Sequence, residues 1–89
     1  MLVKRPWGLM LKLIHTQHFW LKIIKVNKGC RTSLQYHEQR NEYHFGWNYY
    51  KTISPFEKHR MKEGFYVEIA TGNPKEDDII RIEDDYNRI

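Results

Sequence analysis

The sequence predicts a single small all-β domain, a sandwich or a small barrel. Three features point there. Turn-forming residues recur at short intervals, the runs between them are rich in β-branched and aromatic residues, and no stretch sustains a helical repeat of apolar positions. Eighty-nine residues allow one domain with one modest core. With 40% apolar and 15% aromatic residues, the chain carries too much apolar surface to stay disordered.

Taken in order, Pro6-Trp7-Gly8 opens the domain and Leu9 to His15 reads as the first strand. The polar run His15-Thr16-Gln17-His18 predicts a hairpin turn, and Phe19 to Val26 a second strand that Asn27-Lys28-Gly29 should stop. A third strand is expected from Arg31 to His37, followed by a polar turn over Glu38-Gln39-Arg40-Asn41 and a strand from Glu42 to Phe45. Gly46-Trp47-Asn48 turns the chain into Tyr49 to Ile53, Pro55 marks a corner, and Gly64 introduces Phe65 to Ala70. Thr71-Gly72-Asn73-Pro74 ends that strand. Residues 74–89 form an acidic C-terminal arm, in which Asp77 to Ile82 reads as a last short strand or an ordered segment lying on the barrel.

The net charge of +4 is unevenly spread. From Lys75 onward six acidic residues face three basic ones, a net −3, so the body carries +7. A basic body suits an anionic partner or its own acidic tail. The single cysteine, Cys30, excludes an intrachain disulfide framework and reads as an inert, half-buried thiol in a reducing compartment. No apolar run approaches the roughly 20 residues of a membrane span. Lys12 interrupts the apolar start and no small-residue cleavage site follows, so the expectation is a cytoplasmic protein without a signal peptide.

One constellation carries chemistry. Strand side chains alternate faces, so Gln35 and His37 point the same way, and Glu42 follows on what should be the adjacent strand. Imidazole, carboxylate and amide oxygen are ligands for Zn²⁺, Mn²⁺, Fe²⁺ or Ni²⁺, and mixed N/O donors do not discriminate among them. His59, just past Pro55, is placed to supply the remaining ligand.

These residues lie in stretches that resemble a family. Arg31-Thr32-Ser33-Leu34-Gln35-Tyr36-His37-Glu38-Gln39-Arg40-Asn41-Glu42 is similar to the R-x-S-L-Q-x-H-x-x-R-x-E stretch of mannose-6-phosphate isomerase-type cupins. Lys4-Arg5-Pro6-Trp7-Gly8 resembles their K/R-P-W-G opening, and Ile53-Ser54-Pro55-Phe56-Glu57-Lys58-His59-Arg60 their I-P-P-G-T-x-H-R. The acidic run from Glu76 to Arg88 resembles their closing E-D-D-I-V-R-x-x-D-x-Y-G-R. The resemblance implies a cupin-type β-barrel or jelly-roll sandwich holding one divalent ion in its mouth through Gln35, His37, Glu42 and His59. It further implies aldose–ketose isomerisation of a sugar phosphate through an enediolate, or binding of a related sugar or sugar nucleotide.

The chain departs from the pattern. Glu42 and His59 are 17 positions apart, about one hairpin shorter than in the family, so the barrel wall should be open on that side. A partner copy fits that gap, with Tyr43, Phe45, Trp47, Tyr49 and Tyr50 as the adhesive surface of a homodimer or, alternatively, as core. Phe56 replaces the glycine of the P-x-G turn, where its side chain either alters the turn or caps the pocket, and Asn87 replaces a glycine near the end.

Three residues are candidates for substrate contact. Lys22 shares parity with Trp20, Ile24 and Val26 and should face inward, where it meets an anionic substrate or pairs with the acidic tail. Ser33 shares the face of Gln35 and His37, and Arg40 matches the family arginine. Glu38, His44 and Glu57 lie near the site in sequence, but none forms a recognisable catalytic pair, so no base is assigned. Three functions compete: a metal-dependent sugar-phosphate isomerase, a reduced cupin that binds a sugar without turnover, and a nucleic-acid binder. The last has only basic and aromatic composition behind it and no motif.

Overall fold

Polar interruptions in the sequence fall in turns, and eight antiparallel strands lie between them. The structure, a computed structural model, describes residues 1–88. The strands are β1 (Leu2–Arg5), β2 (Gly8–His15), β3 (Phe19–Arg31), β4 (Leu34–Tyr36), β5 (Asn41–Gly46), β6 (Tyr49–Ile53), β7 (Lys62–Thr71) and β8 (Ile80–Glu83). Six form one sheet in the order β1-β2-β3-β7-β5-β6, and β4 and β8 form a second sheet of two. The all-β class is as the sequence predicts. The architecture is two sheets, with β1 and β6 as the free edges of the larger one.

Four expectations need correction. Leu2–Arg5 was not foreseen as a strand, yet it pairs with β2 along its whole length, from Leu2 opposite Leu11 to Arg5 opposite Gly8. The run Asn27-Lys28-Gly29 does not stop β3. Gly29 takes a left-handed φ of 77°, and the register shifts between Val26 and Arg31, so a bulge absorbs the turn residues. The strand expected over Arg31 to His37 is interrupted at Thr32 and Ser33, and only Leu34–Tyr36 continues, in the other sheet. There β4 pairs with β8, not with the strand that carries Glu42. Ligands expected on neighbouring strands are therefore brought together across the gap between two sheets.

Side-chain alternation divides the interior. On the inner face of the large sheet, the half nearest Gly8 is apolar: Trp7, Met10, Ile24, Val26 and Met61 form the buried core, with Val3, Cys30, Tyr66 and Tyr86 against it. Gly8 is irreplaceable there. A Cβ on it would stand 1.9 Å from the Lys25 carbonyl oxygen. The other half of the same face is polar and holds Lys22, Glu42, His44 and Glu68, all buried.

The acidic arm closes this polar half. Its strand β8 supplies the only ladder partner of β4 among the described residues. Glu76 pairs with Lys22 and lies 3.5 Å from Lys12 and 3.6 Å from Arg5. Asp78 accepts the backbone N–H groups of Glu38 and Gln39, at 2.9 and 3.0 Å. Asp85 takes both Arg31 nitrogens, and Asp84 binds Arg88. The tail thus neutralises part of the basic body.

These carboxylates hold depressed pKa values. Burial pushes Glu76 and Asp78 upward, but the Lys22 bond and the two backbone donors outweigh it. The bond from Arg88 lowers Asp84 to about 2, and that from Arg31 lowers Asp85. A carboxylate with a depressed folded pKa contributes stability above its unfolded value, near 4, and loses it as pH falls through the folded value. The arm should therefore loosen as pH is lowered from about 4. Hydrogen exchange should show the Ile80–Glu83 amides losing protection before those pairing β3 with β7. Simultaneous loss would mean that the carboxylates do not hold the arm.

Candidate metal centre

The polar half of the interior is built by register. In the large sheet His44 on β5 lies opposite Glu68 on β7, and Glu68 lies opposite Lys22 on β3. Glu42, two residues before His44, shares their inward face. From the other side, an isolated antiparallel bridge between Gln35 and His59 holds two further polar side chains against them. His37 follows β4 immediately. Its carbonyl accepts the Phe56 N–H at 2.6 Å, which ties the Pro55 corner to the site.

Gln35, His37, Glu42 and His59 converge as the sequence suggested. His37 Nε2 lies 3.1 Å from His59 Nε2 and 3.2 Å from Glu42 Oε2, and His59 Nε2 lies 3.5 Å from Glu42 Oε1. The Gln35 amide nitrogen is 3.4 Å from His37 Nε2. An ion with bonds of about 2.0–2.2 Å places neighbouring donors roughly 3.0–3.5 Å apart in octahedral or tetrahedral geometry. The three spacings among His37, Glu42 and His59 match that edge length.

Both imidazoles are also set for it. His37 Nδ1 donates to the Asp78 carbonyl at 2.7 Å, and His59 Nδ1 to the Glu57 carbonyl at 3.0 Å. Each bond places the proton on Nδ1 and turns an Nε2 lone pair toward the shared point, the tautomer a metal ligand needs. The Ser33 hydroxyl donates to Gln35 Oε1 at 2.5 Å. A hydroxyl accepts as readily as it donates, so rotating the amide by half a turn keeps this bond and presents Oε1 to an ion.

A second buried triad, Glu42, His44 and Glu68, shares Glu42 with the first. His44 Nε2 lies 2.9 Å from Glu42 Oε1 and 3.0 Å from Glu68 Oε1. Burial lowers the His44 pKa, but the hydrogen bonds it donates to the two carboxylates raise it to about 9, so a proton binds this triad together at neutral pH. The first triad has facing lone pairs and the second does not. Glu42 is held well below the ordinary carboxylate range: burial raises it, and the His44 bond and the Arg40 charge outweigh that.

Sequence reading missed Glu68. Its signal was a carboxylate in the apolar run Val67-Glu68-Ile69-Ala70, with the parity of a buried position. Trp20 Nε1 donates to its second oxygen at 2.9 Å. His44 belongs to the cluster, whereas the other two residues considered as a base do not reach it: Glu38 is exposed and Glu57 half-buried.

The three substrate-contact candidates are all buried and engaged. Lys22 faces inward with Trp20, Ile24 and Val26. Its Nζ sits 3.5 Å above the Trp20 ring and pairs with Glu76. Burial pulls its pKa down, against the raising pull of Glu76 and Glu68. Arg40 Nε donates to Glu42 Oε2 at 2.7 Å, Nη1 to the Lys75 carbonyl at 2.9 Å and Nη2 to His37 Nε2 at 3.1 Å. An ion taking that last lone pair leaves Arg40 its bonds to Glu42 and Lys75. Ser33 is occupied by Gln35. Phe56 takes a left-handed backbone, φ 66°, while its ring stacks on Tyr36 outside the cavity. Asn87 is also left-handed, φ 57°.

Fold and cluster define a small antiparallel sandwich with a buried imidazole–carboxylate–amide site suited to a divalent ion. No family model matches the chain, and no curated protein matches it. Among solved structures, a protein from Planctomyces limnophilus is similar in fold, with a TM-score of 0.73 over 89% of this chain and 87% of that one, at 12% identity.

Removing Glu42 should expose its role. Glu42→Ala leaves Arg40 and His44 buried without their shared carboxylate, and a loss of about 3–5 kcal/mol is expected in urea unfolding with chelator present. A loss below about 1 kcal/mol would place the cohesion of the site elsewhere.

Proposed function

We propose that this chain is a metal-binding cupin that acts on a phosphorylated sugar by aldose–ketose isomerisation of the mannose-6-phosphate isomerase type. The observation that carries the reading is the convergence of Gln35, His37, Glu42 and His59 at metal-edge spacing, with both histidines held in the ligating tautomer. A divalent ion held by one carboxylate keeps a net positive charge and stabilises an oxygen on which negative charge develops. The chain's own groups would do the rest. Arg40 holds Glu42 in its ionised form, and Ser33 orients Gln35. The compartment that fits a lone half-buried cysteine is the cytoplasm.

A second reading, binding of a sugar or sugar nucleotide without turnover, has its own support. The acid–base groups Glu42, His44 and Glu68 that line the cavity beside the cluster are already engaged, His44 with each of the two carboxylates.

We also propose a homodimer packed through the outer face of the large sheet. One register row there is apolar from edge to edge: Leu2, Leu11, Ile23, Val67, Phe45 and Tyr50. Four of the six are exposed, as are Trp47 and Tyr49. Sedimentation equilibrium should give twice the chain mass for the wild type and one chain mass for Val67→Asp. A wild-type monomer at tens of micromolar would remove the dimer.

The functional test is direct. Protein loaded in turn with Mn²⁺, Zn²⁺, Ni²⁺ or Fe²⁺ should convert mannose 6-phosphate to fructose 6-phosphate. His37→Ala and His59→Ala should lose both metal and activity. Lower pH should weaken metal retention, because protons compete for the imidazoles. Full metal occupancy with no turnover for any ion selects the binding reading.

A further inference from the structure

The anion-binding group of the cavity is not among the three residues first considered for it. Lys22 is neutralised by Glu76 and Arg40 by Glu42, and both are buried in those pairs. Three arginines line the same cavity further toward the arm: Arg5 at the end of β1, Arg81 on β8 and Arg88 beyond it. Arg88 has Asp84 at 2.7 Å, and Arg5 has only a 3.6 Å share of Glu76. Arg81 has no ion-pair partner within 4.0 Å among the described residues, and its Nε, cut off from solvent, has no hydrogen-bond acceptor.

Arg81 lines this cavity, and a buried guanidinium N–H without an acceptor is costly. The neighbouring charges make it worse. Burial lowers the Arg81 pKa, and the Arg88 and Arg5 charges lower it further against the raising pull of Asp84. All three arginines line one cavity, where a dianionic group would offset their like charge. Guanidinium forks fit phosphate oxygens in pairs, whereas a carboxylate offers two oxygens and one charge.

We infer that Arg81, with Arg5 and Arg88 beside it, binds the phosphate of a phosphate monoester whose other end reaches the Gln35/His37/Glu42/His59 cluster. Register supports the placement: Arg81 lies opposite Gln35 in the β4–β8 ladder, so the two subsites sit on adjacent strands of one wall. The inference rests on the metal-centred reading only for the ligand's other end. The phosphate site itself stands without the ion.

The test uses inorganic phosphate as the probe, with acetate and chloride at matched ionic strength as controls, followed by calorimetry and thermal shift. Metal content is measured separately on every sample. Phosphate should bind the wild type and raise its melting temperature, acetate should do so far less, and Arg81→Met should weaken phosphate at least about tenfold with metal content unchanged. Equal phosphate affinity in wild type and Arg81→Met overturns the inference, as does acetate binding as tightly as phosphate. If Arg81→Met does not fold, Arg81→Lys carries the same comparison: it keeps the charge and loses the fork, so weakening supports the site and unchanged affinity overturns it. Phosphate binding to protein that retains no metal supports the anion site while removing the metal centre.

Discussion

A single buried carboxylate organises the polar half of this domain. Glu42 touches Arg40, His37, His44 and His59, each within 3.5 Å, and those partners come from three different stretches of chain. Isolated, an ionised carboxylate at that depth is prohibitively expensive. It is tolerated because an arginine and an imidazolium share it, and because Glu68, itself held by Trp20, completes the bonding of His44. The arrangement fixes how the two sheets face each other. It also makes the site and the fold one object, since a shift of β4 relative to β5 disturbs the His37–Glu42 contact.

The division of the interior follows from this. A chain of 89 residues buries limited apolar surface, and here half of one sheet's inner face is given to charged groups. The apolar core is only Trp7, Met10, Ile24, Val26 and Met61 with their fringe. Charge pairing with the C-terminal arm offsets part of the deficit, and a bound ion would add its binding free energy to folding. The outer face of the same sheet carries an apolar row in which Leu2, Phe45, Tyr50 and Val67 are exposed.

Much of the strand pattern was legible because its signals are local. Turns at Thr16–His18, Gly46–Asn48 and Pro55 fell where polar and glycine-rich dipeptides placed them, and Tyr49–Ile53 matches its expected bounds. Leu2–Arg5 was missed because four residues of mixed character carry little alternation, and its strand status comes from pairing with β2. The continuation of β3 past Asn27 was missed because a bulge is decided by the partner strand. Parity showed that Gln35, His37 and Glu42 face inward. It did not show across what, since β4 pairs with β8 from the far end of the sequence. Glu68 escaped notice for the same reason: a buried acid in a strand is meaningful only once the histidine opposite it is known.

In the proposed centre two imidazoles, one carboxylate and one amide share one ion. X-ray absorption at the metal edge of Zn²⁺- or Co²⁺-loaded protein measures that most directly. A first shell of nitrogen and oxygen at about 2.0–2.2 Å, with outer-shell scattering from two imidazole rings that drops to one in His59→Ala, is the expected result. A shell of oxygen alone, or one unchanged in His59→Ala, would contradict it.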